Sequence, residues 1–159
     1  MARSCHLPPS AASLTASLRD LGYSLETAVA DLIDNSISAD ATTIQILCDI
    51  SRSDPVLVIA DNGCGMIENQ LIAAMRHGAT DPRTERGPKD LGRFGLGLKT
   101  ASFSQCRRLT VVSAVDGERA GAEWSLSKIE ADDDWFISVL EPKEIAGQAF
   151  IEMLSDTGT

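Results

Sequence analysis

The chain has 159 residues, 43% of them apolar and 23% charged, which suits one ordinary domain able to bury its own core. Its net charge of −9 argues against a generic nucleic-acid or anionic-membrane surface. No apolar run approaches the roughly 20 residues of a membrane helix, and Met1 to His6 lacks the basic and apolar pattern of a secretion signal, so a soluble, cytoplasmic protein is expected. Cys5, Cys48, Cys64 and Cys106 form no CxxC pair, and His6 and His77 are too few for a histidine-rich metal site. The charge is unevenly spread. Between Arg76 and Arg108 lie eight basic residues against three acids, a pattern that fits either a locally held polyanion or a solvated loop.

A first helix is predicted after Pro8 and Pro9, with Ser10 as N-cap, Leu14, Leu18 and Leu21 at helical spacing, and Gly22 as stop. Ser24 caps a second helix in which Leu25, Ala28, Val29, Leu32, Ile33 and Ile37 share a face. Strands are predicted over 43–50 and 56–60, the second continuously apolar, as in a central strand covered on both faces, and ending at Asp61. A helix over 68–77 follows. Residues 79–93 are polar, aperiodic and punctuated by Pro82, Gly87, Pro88 and Gly92, which predicts a long functional loop. A helix over 98–105 leads to strands over 109–115 and 121–126, joined by an Asp116-Gly117 turn. A strand over 135–140 and a short helix over 145–154 complete the expected α/β fold. No linker or repeat divides the chain.

Three groups of residues carry chemistry. Asp31 and Asn35 are one helical turn apart, so a carboxylate and an amide oxygen stand together where they could hold a hard cation and orient a water. Acid and amide residues on a helix are also commonly just solvated. Asp61-Asn62-Gly63-Cys64-Gly65-Met66 ends the apolar strand. An Asn-Gly pair there reads as a turn, yet the glycines permit close backbone approach and Asp61 can accept from an exocyclic amine. Gly92-Arg93-Phe94-Gly95-Leu96-Gly97-Leu98-Lys99 places glycines at the mouth of a helix, where backbone N–H groups can face phosphate oxygens. Leu98 between Gly97 and Lys99 breaks the P-loop pattern, and no strand precedes as a dinucleotide-binding glycine motif requires.

In this order the three motifs resemble the GHKL ATPases, the superfamily of DNA gyrase, heat-shock chaperones, histidine kinases and MutL, and among them the MutL-like and MORC-like members. The resemblance runs from about Glu26 to Ser113, with Gly158-Thr159 as a fourth motif. It implies the Bergerat fold, an α/β (α+β) two-layer sandwich with helices on one face of a mixed sheet, binding ATP and magnesium. By it, residues 1–159 are one ATP-binding domain, with 1–23 as an N-terminal strap and 79–98 as the ATP lid. Asn35 would coordinate the metal and Asp61 would receive the adenine amine. Ala39, Gly63, Gly65 and Met66 would line the nucleotide, with Gly65 letting the base approach. Gly92, Phe94, Gly95, Leu96, Gly97 and Leu98 would form the phosphate-facing lid, Lys99 would neutralise the γ-phosphate, and Thr159 would lie near the adenine.

Asp31 would be the carboxylate that aligns the attacking water, where hydrolysing relatives usually carry Glu. Asp is shorter by about an ångström of reach, a displacement large enough to slow hydrolysis. Ser38 likewise stands where many relatives have Asp. A Gly-Thr pair at the chain's end would begin a strand completing the sheet, so the sequence reads as part of a longer protein. The expected function is a magnesium-dependent ATPase whose lid closure drives dimerisation in DNA repair, DNA organisation or defence. The alternatives are a nucleotide-dependent switch with negligible turnover and a histidine or serine kinase catalytic domain. No phosphoacceptor helix precedes Asn35, which weighs against the kinase.

Overall fold

The computed structural model describes residues 5, 9–20, 23–76 and 97–159. Helix α1 spans Ala11–Asp20 and α2 Leu25–Ser38; strands β1, Ile44–Asp49, and β2, Val56–Asp61, lead to α3, Glu68–Met75. Then come α4, Gly97–Gln105, β3, Arg108–Val115, β4, Glu118–Ser125, α5, Leu126–Asp132, β5, Ser138–Val139, and α6, Pro142–Ala146, followed by a 3-10 turn at Ile151–Met153. This is the mixed α/β chain that the Bergerat resemblance implies. The loop expected over 79–93, and with it most of the lid expected over 79–98, lies outside the described residues.

Two antiparallel sheets form, β1-β2 and β3-β4-β5. The last two residues join them. Asp61 at the end of β2 donates its N–H to the Thr159 carbonyl at 2.8 Å, while Gly158 exchanges backbone hydrogen bonds with Ala114 of β3 at 2.8 and 3.0 Å. The Gly-Thr pair therefore lies between β2 and β3, with Gly158 forming an isolated antiparallel bridge to Ala114. Asp116 and Gly117 both have positive φ, 52° and 85°, the conformation that lets a two-residue turn follow the strand twist of the β3-β4 hairpin.

Alternation along β4 sorts its two faces. Ala120, Ala122 and Trp124 point into a core with Leu71 and Met75 of α3, Phe103 of α4, Val111 of β3, and Leu126 and Ile129 of α5. Trp124 is the hub: its ring meets Phe103 and Trp135 edge-on, with centroids 6.1 and 5.9 Å away, and its Nε1 donates to the Met75 carbonyl at 3.0 Å. Gly121 faces the other way, where a side chain would collide with Ile145 and Leu140. α6 thus covers the opposite face of β4.

The end elements depart from the sequence-based expectation. Instead of one helix over 145–154, Pro142 starts α6 early, with the Glu144 carboxylate accepting from the Glu141 N–H at 2.8 Å, and Phe150 at φ 62° separates it from the 3-10 turn. α5 was not expected; its Leu126 and Ile129 are buried by tertiary packing, and its sequence, Leu126–Asp132, carries too short an apolar pattern to announce a helix. β2 is not covered on both faces throughout, since Leu57 is 39% exposed. α2 buries Ala28 but leaves Leu25 and Ile37 about half exposed.

α1 is tied down at both ends. The Asp133 carboxylate accepts from the Ala12 N–H at 3.0 Å and the Ser10 hydroxyl at 2.7 Å, capping the helix from 121 residues away. Arg19 donates to the carbonyls of Phe103 and Cys106 at 2.7 and 2.8 Å, satisfying the C-terminal end of α4.

Candidate functional site

The site grows from α2. Ser24 accepts from the Thr27 N–H at 3.2 Å, fixing the start of the helix. Asp31 and Asn35 follow one turn apart along it. Asp31 is half-buried and Asn35 exposed; both line one large cavity with Ala39, Asp61, Gly65, Met66, Leu98 and Thr159.

Asp61 is held from two sides. Its Oδ2 accepts from the Ser36 hydroxyl at 2.8 Å and its Oδ1 from the Gly63 N–H at 2.8 Å. A carboxylate has about four acceptor positions, so two remain for an incoming donor. Ser36 is buried, and its hydroxyl lies 3.4 Å from the Leu32 carbonyl; since an ionised carboxylate only accepts, the serine hydrogen goes to Asp61. Sequence reasoning gave Ser36 no role of its own. Its signal was its place one residue past Asn35, on the α2 face turned toward the strand.

The turn after β2 is built on close backbone contact. A side chain at Gly63 would meet the Ala39 Cβ and carbonyl at 2.8 Å, and the Cys64 N–H donates to that carbonyl at 3.0 Å. Gly65, at φ 65°, lies so close to β3 that a Cβ would stand 2.0 Å from the Ala114 carbonyl oxygen. Packing against β3 requires glycine here. Asn62 points away, accepting from the Thr42 and Thr43 N–H groups at 2.9 and 2.8 Å and so pinning the loop before β1.

Ser113 joins this turn to the chain's last residues. Its hydroxyl accepts from the Met66 N–H at 2.8 Å and lies 2.9 Å from the Gly158 carbonyl and 2.7 Å from the Thr159 hydroxyl. Ser113 is fully buried, and no sequence motif marked it.

The glycine-rich segment is only partly in view. Gly97 opens α4 and Lys99 falls in its first turn, with Leu98 half-buried against the core. Gly92, Phe94, Gly95 and Leu96 lie outside the described residues. Among the described residues Cys48 and Cys64 are exposed and Cys106 is half-buried. Among the described residues no helix is long and apolar enough to cross a membrane.

A carboxylate steadied at a strand end, the helix that carries Asn35 and a helix opened by Gly97 sit in a mixed α/β chain consistent with the Bergerat fold. Residues 23–159 match the family described as histidine kinase-, DNA gyrase B-, and HSP90-like ATPase, and the chain belongs to that family. It is 40% identical over 80 residues to ATPase MORC2B of Mus musculus, covering 48% of this chain and 8% of that protein. It is 36% identical over 95 residues to the DNA mismatch repair protein MutL of Erwinia tasmaniensis, covering 57% and 15%. It is 30% identical over 101 residues to the chaperone protein HtpG of Halalkalibacterium halodurans, covering 58% and 16%. The chain thus spans a small part of each of these relatives. Family membership supports ATP binding.

Proposed function

We propose that the chain binds ATP with magnesium and hydrolyses it slowly, and that lid closure over residues 79–98 drives dimerisation of the full-length protein, in DNA repair, DNA organisation or defence. The observation that carries the binding half is Asp61, oriented by Ser36 and the Gly63 N–H with acceptor positions left over on the cavity wall. The adenine amine donates to this carboxylate, and Ala39, Gly63, Gly65, Met66 and Thr159 shape the pocket around the base.

Among the described residues no group of three or more His, Cys, Asp or Glu could hold a metal. The amide oxygen of Asn35 suits magnesium, which keeps several waters and takes few protein ligands. Asn35 would hold the ion, which when bound neutralises phosphate charge. Lys99 and the glycine-rich segment from Gly92 to Leu98 would take the γ-phosphate. Asp31 accepts the hydrogen bond of the attacking water. Water oxygen bonds to the γ-phosphorus as the bond to the bridging oxygen breaks, releasing ADP and phosphate.

Calorimetric titration of ATP with and without magnesium, on wild type and Asn35→Ala, tests binding: the variant is expected to lose the magnesium-dependent part of the affinity. Phosphate release by the full-length protein tests turnover, and a rate unchanged in Asp31→Ala would sink the assignment of Asp31. A nucleotide switch without turnover is the second reading, favoured by the short reach of Asp31; it predicts tight ATP binding with no phosphate release.

A further inference from the structure

We infer that Tyr23 is a positioning residue for hydrolysis: it holds one oxygen of Asp31 so that the other faces the water, an inference that rests on the role of Asp31 proposed above. The Tyr23 hydroxyl donates to Asp31 Oδ2, and the Tyr23 carbonyl accepts from the Gln105 side chain at 2.5 Å. Its side chain is therefore fastened to α2 and its backbone to the last residue of α4. Tyr23 and Asp31 are both half-buried and line the cavity that Asn35 and Asp61 share.

A brace at this point answers a specific need. An aspartate is a methylene shorter than glutamate, and unless it is held its carboxylate turns about its side-chain bonds and is solvated like any acid on a helix face. A donor on Oδ2 fixes that rotation. It occupies a single carboxylate oxygen and leaves Oδ1 to accept from water. Because Gln105 closes the helix that starts at the glycine-rich segment, the same tyrosine relates the water-facing carboxylate to the phosphate-facing helix. A misplacement of about an ångström there is enough to change the rate substantially.

The test is a double-mutant cycle on the full-length protein, reading phosphate release and ATP affinity for wild type, Tyr23→Phe, Asp31→Ala and the pair. Tyr23→Phe keeps the ring and is expected to lower kcat about tenfold, the scale of one charge-assisted hydrogen bond, with ATP affinity unchanged. In the Asp31→Ala background the tyrosine substitution should have no further effect, because Tyr23 acts through Asp31. A wild-type rate in Tyr23→Phe, or losses that multiply independently, overturns the inference while leaving Asp31 in place. An Asp31→Ala rate equal to wild type, or no turnover by the wild type, overturns both. A spectroscopic check does not depend on turnover: Tyr23 is the only tyrosine of these 159 residues, and the difference in phenolate absorbance between a protein and its Tyr23→Phe counterpart reads it alone. Ionisation should come at lower pH in Asp31→Ala than in wild type, and identical titrations would refute the contact.

Discussion

Asp61→Asn separates binding from folding more cleanly than removing the side chain. The amide oxygen can take the place of Oδ1 and accept from the Gly63 N–H, now at 2.8 Å. The amide NH2 then faces the Ser36 hydroxyl, which can accept it and turn its own hydrogen toward the Leu32 carbonyl 3.4 Å away. Every polar group keeps a partner, so the fold should lose no more than about 1 kcal/mol. The adenine amine fares differently. It loses an ionised acceptor and meets an amide whose oxygen is already engaged, a loss of roughly 1.5–3 kcal/mol for a hydrogen bond to a charged group, or about tenfold to somewhat over a hundredfold in Kd. Calorimetry of ATP binding beside a urea melt reads both quantities. ATP affinity within about threefold of wild type, less than 1 kcal/mol, would refute the assignment of Asp61 to the base.

Further outcomes follow from individual contacts. Gly65→Ala and Gly117→Ala both put alanine at positive φ, costing about 1–2 kcal/mol, but nothing lies within 4 Å of a Cβ at Gly117 whereas one at Gly65 meets the Ala114 carbonyl. Denaturant unfolding should therefore show Gly65→Ala losing about 3 kcal/mol or more in total, and equal losses at the two sites would contradict the packing argument. The bonds from the Ala12 N–H and Ser10 hydroxyl hold the Asp133 carboxyl below its ordinary value. A lowered folded value favours folding above the unfolded pKa of about 3.9 and loses that contribution as pH falls through the folded value. The stability difference between wild type and Asp133→Ala, followed by melts across that range, should shrink as the pH drops below about 4. Burial pushes the Cys106 thiol up, while Cys64 is exposed on the cavity wall. Alkylation mapped by mass spectrometry should reach Cys64 before Cys106, and saturating ATP should slow it at Cys64; no protection would place the nucleotide elsewhere.

Much of the fold was legible because its signals are local. The Ser24 cap and the apolar spacing after it defined α2, and β-branched and aliphatic runs marked β1, β2 and β3 to within a residue or two. Asp116-Gly117 announced the hairpin, since few residues tolerate positive φ twice in succession. α5 and the split at Phe150 were hidden, because a helix of seven residues owes its stability to what it packs against.

The same division runs through the site. Sequence alone determined which groups could take part: Asp31 and Asn35 one turn apart, Asp61 before two glycines, and the glycine-rich run to Lys99. Their types and order are chemistry that no folding step alters. Tertiary structure decided how those groups are held. Ser36 reaches Asp61 across 25 residues, Ser113 gathers Met66, Gly158 and Thr159, and Gly65 is required by a β3 carbonyl. Tyr23 meets Asp31 with its ring and α4 with its backbone. Hydrogen bonds of a few ångströms between distant segments depend on how whole elements dock, and periodicity along the chain does not contain that information.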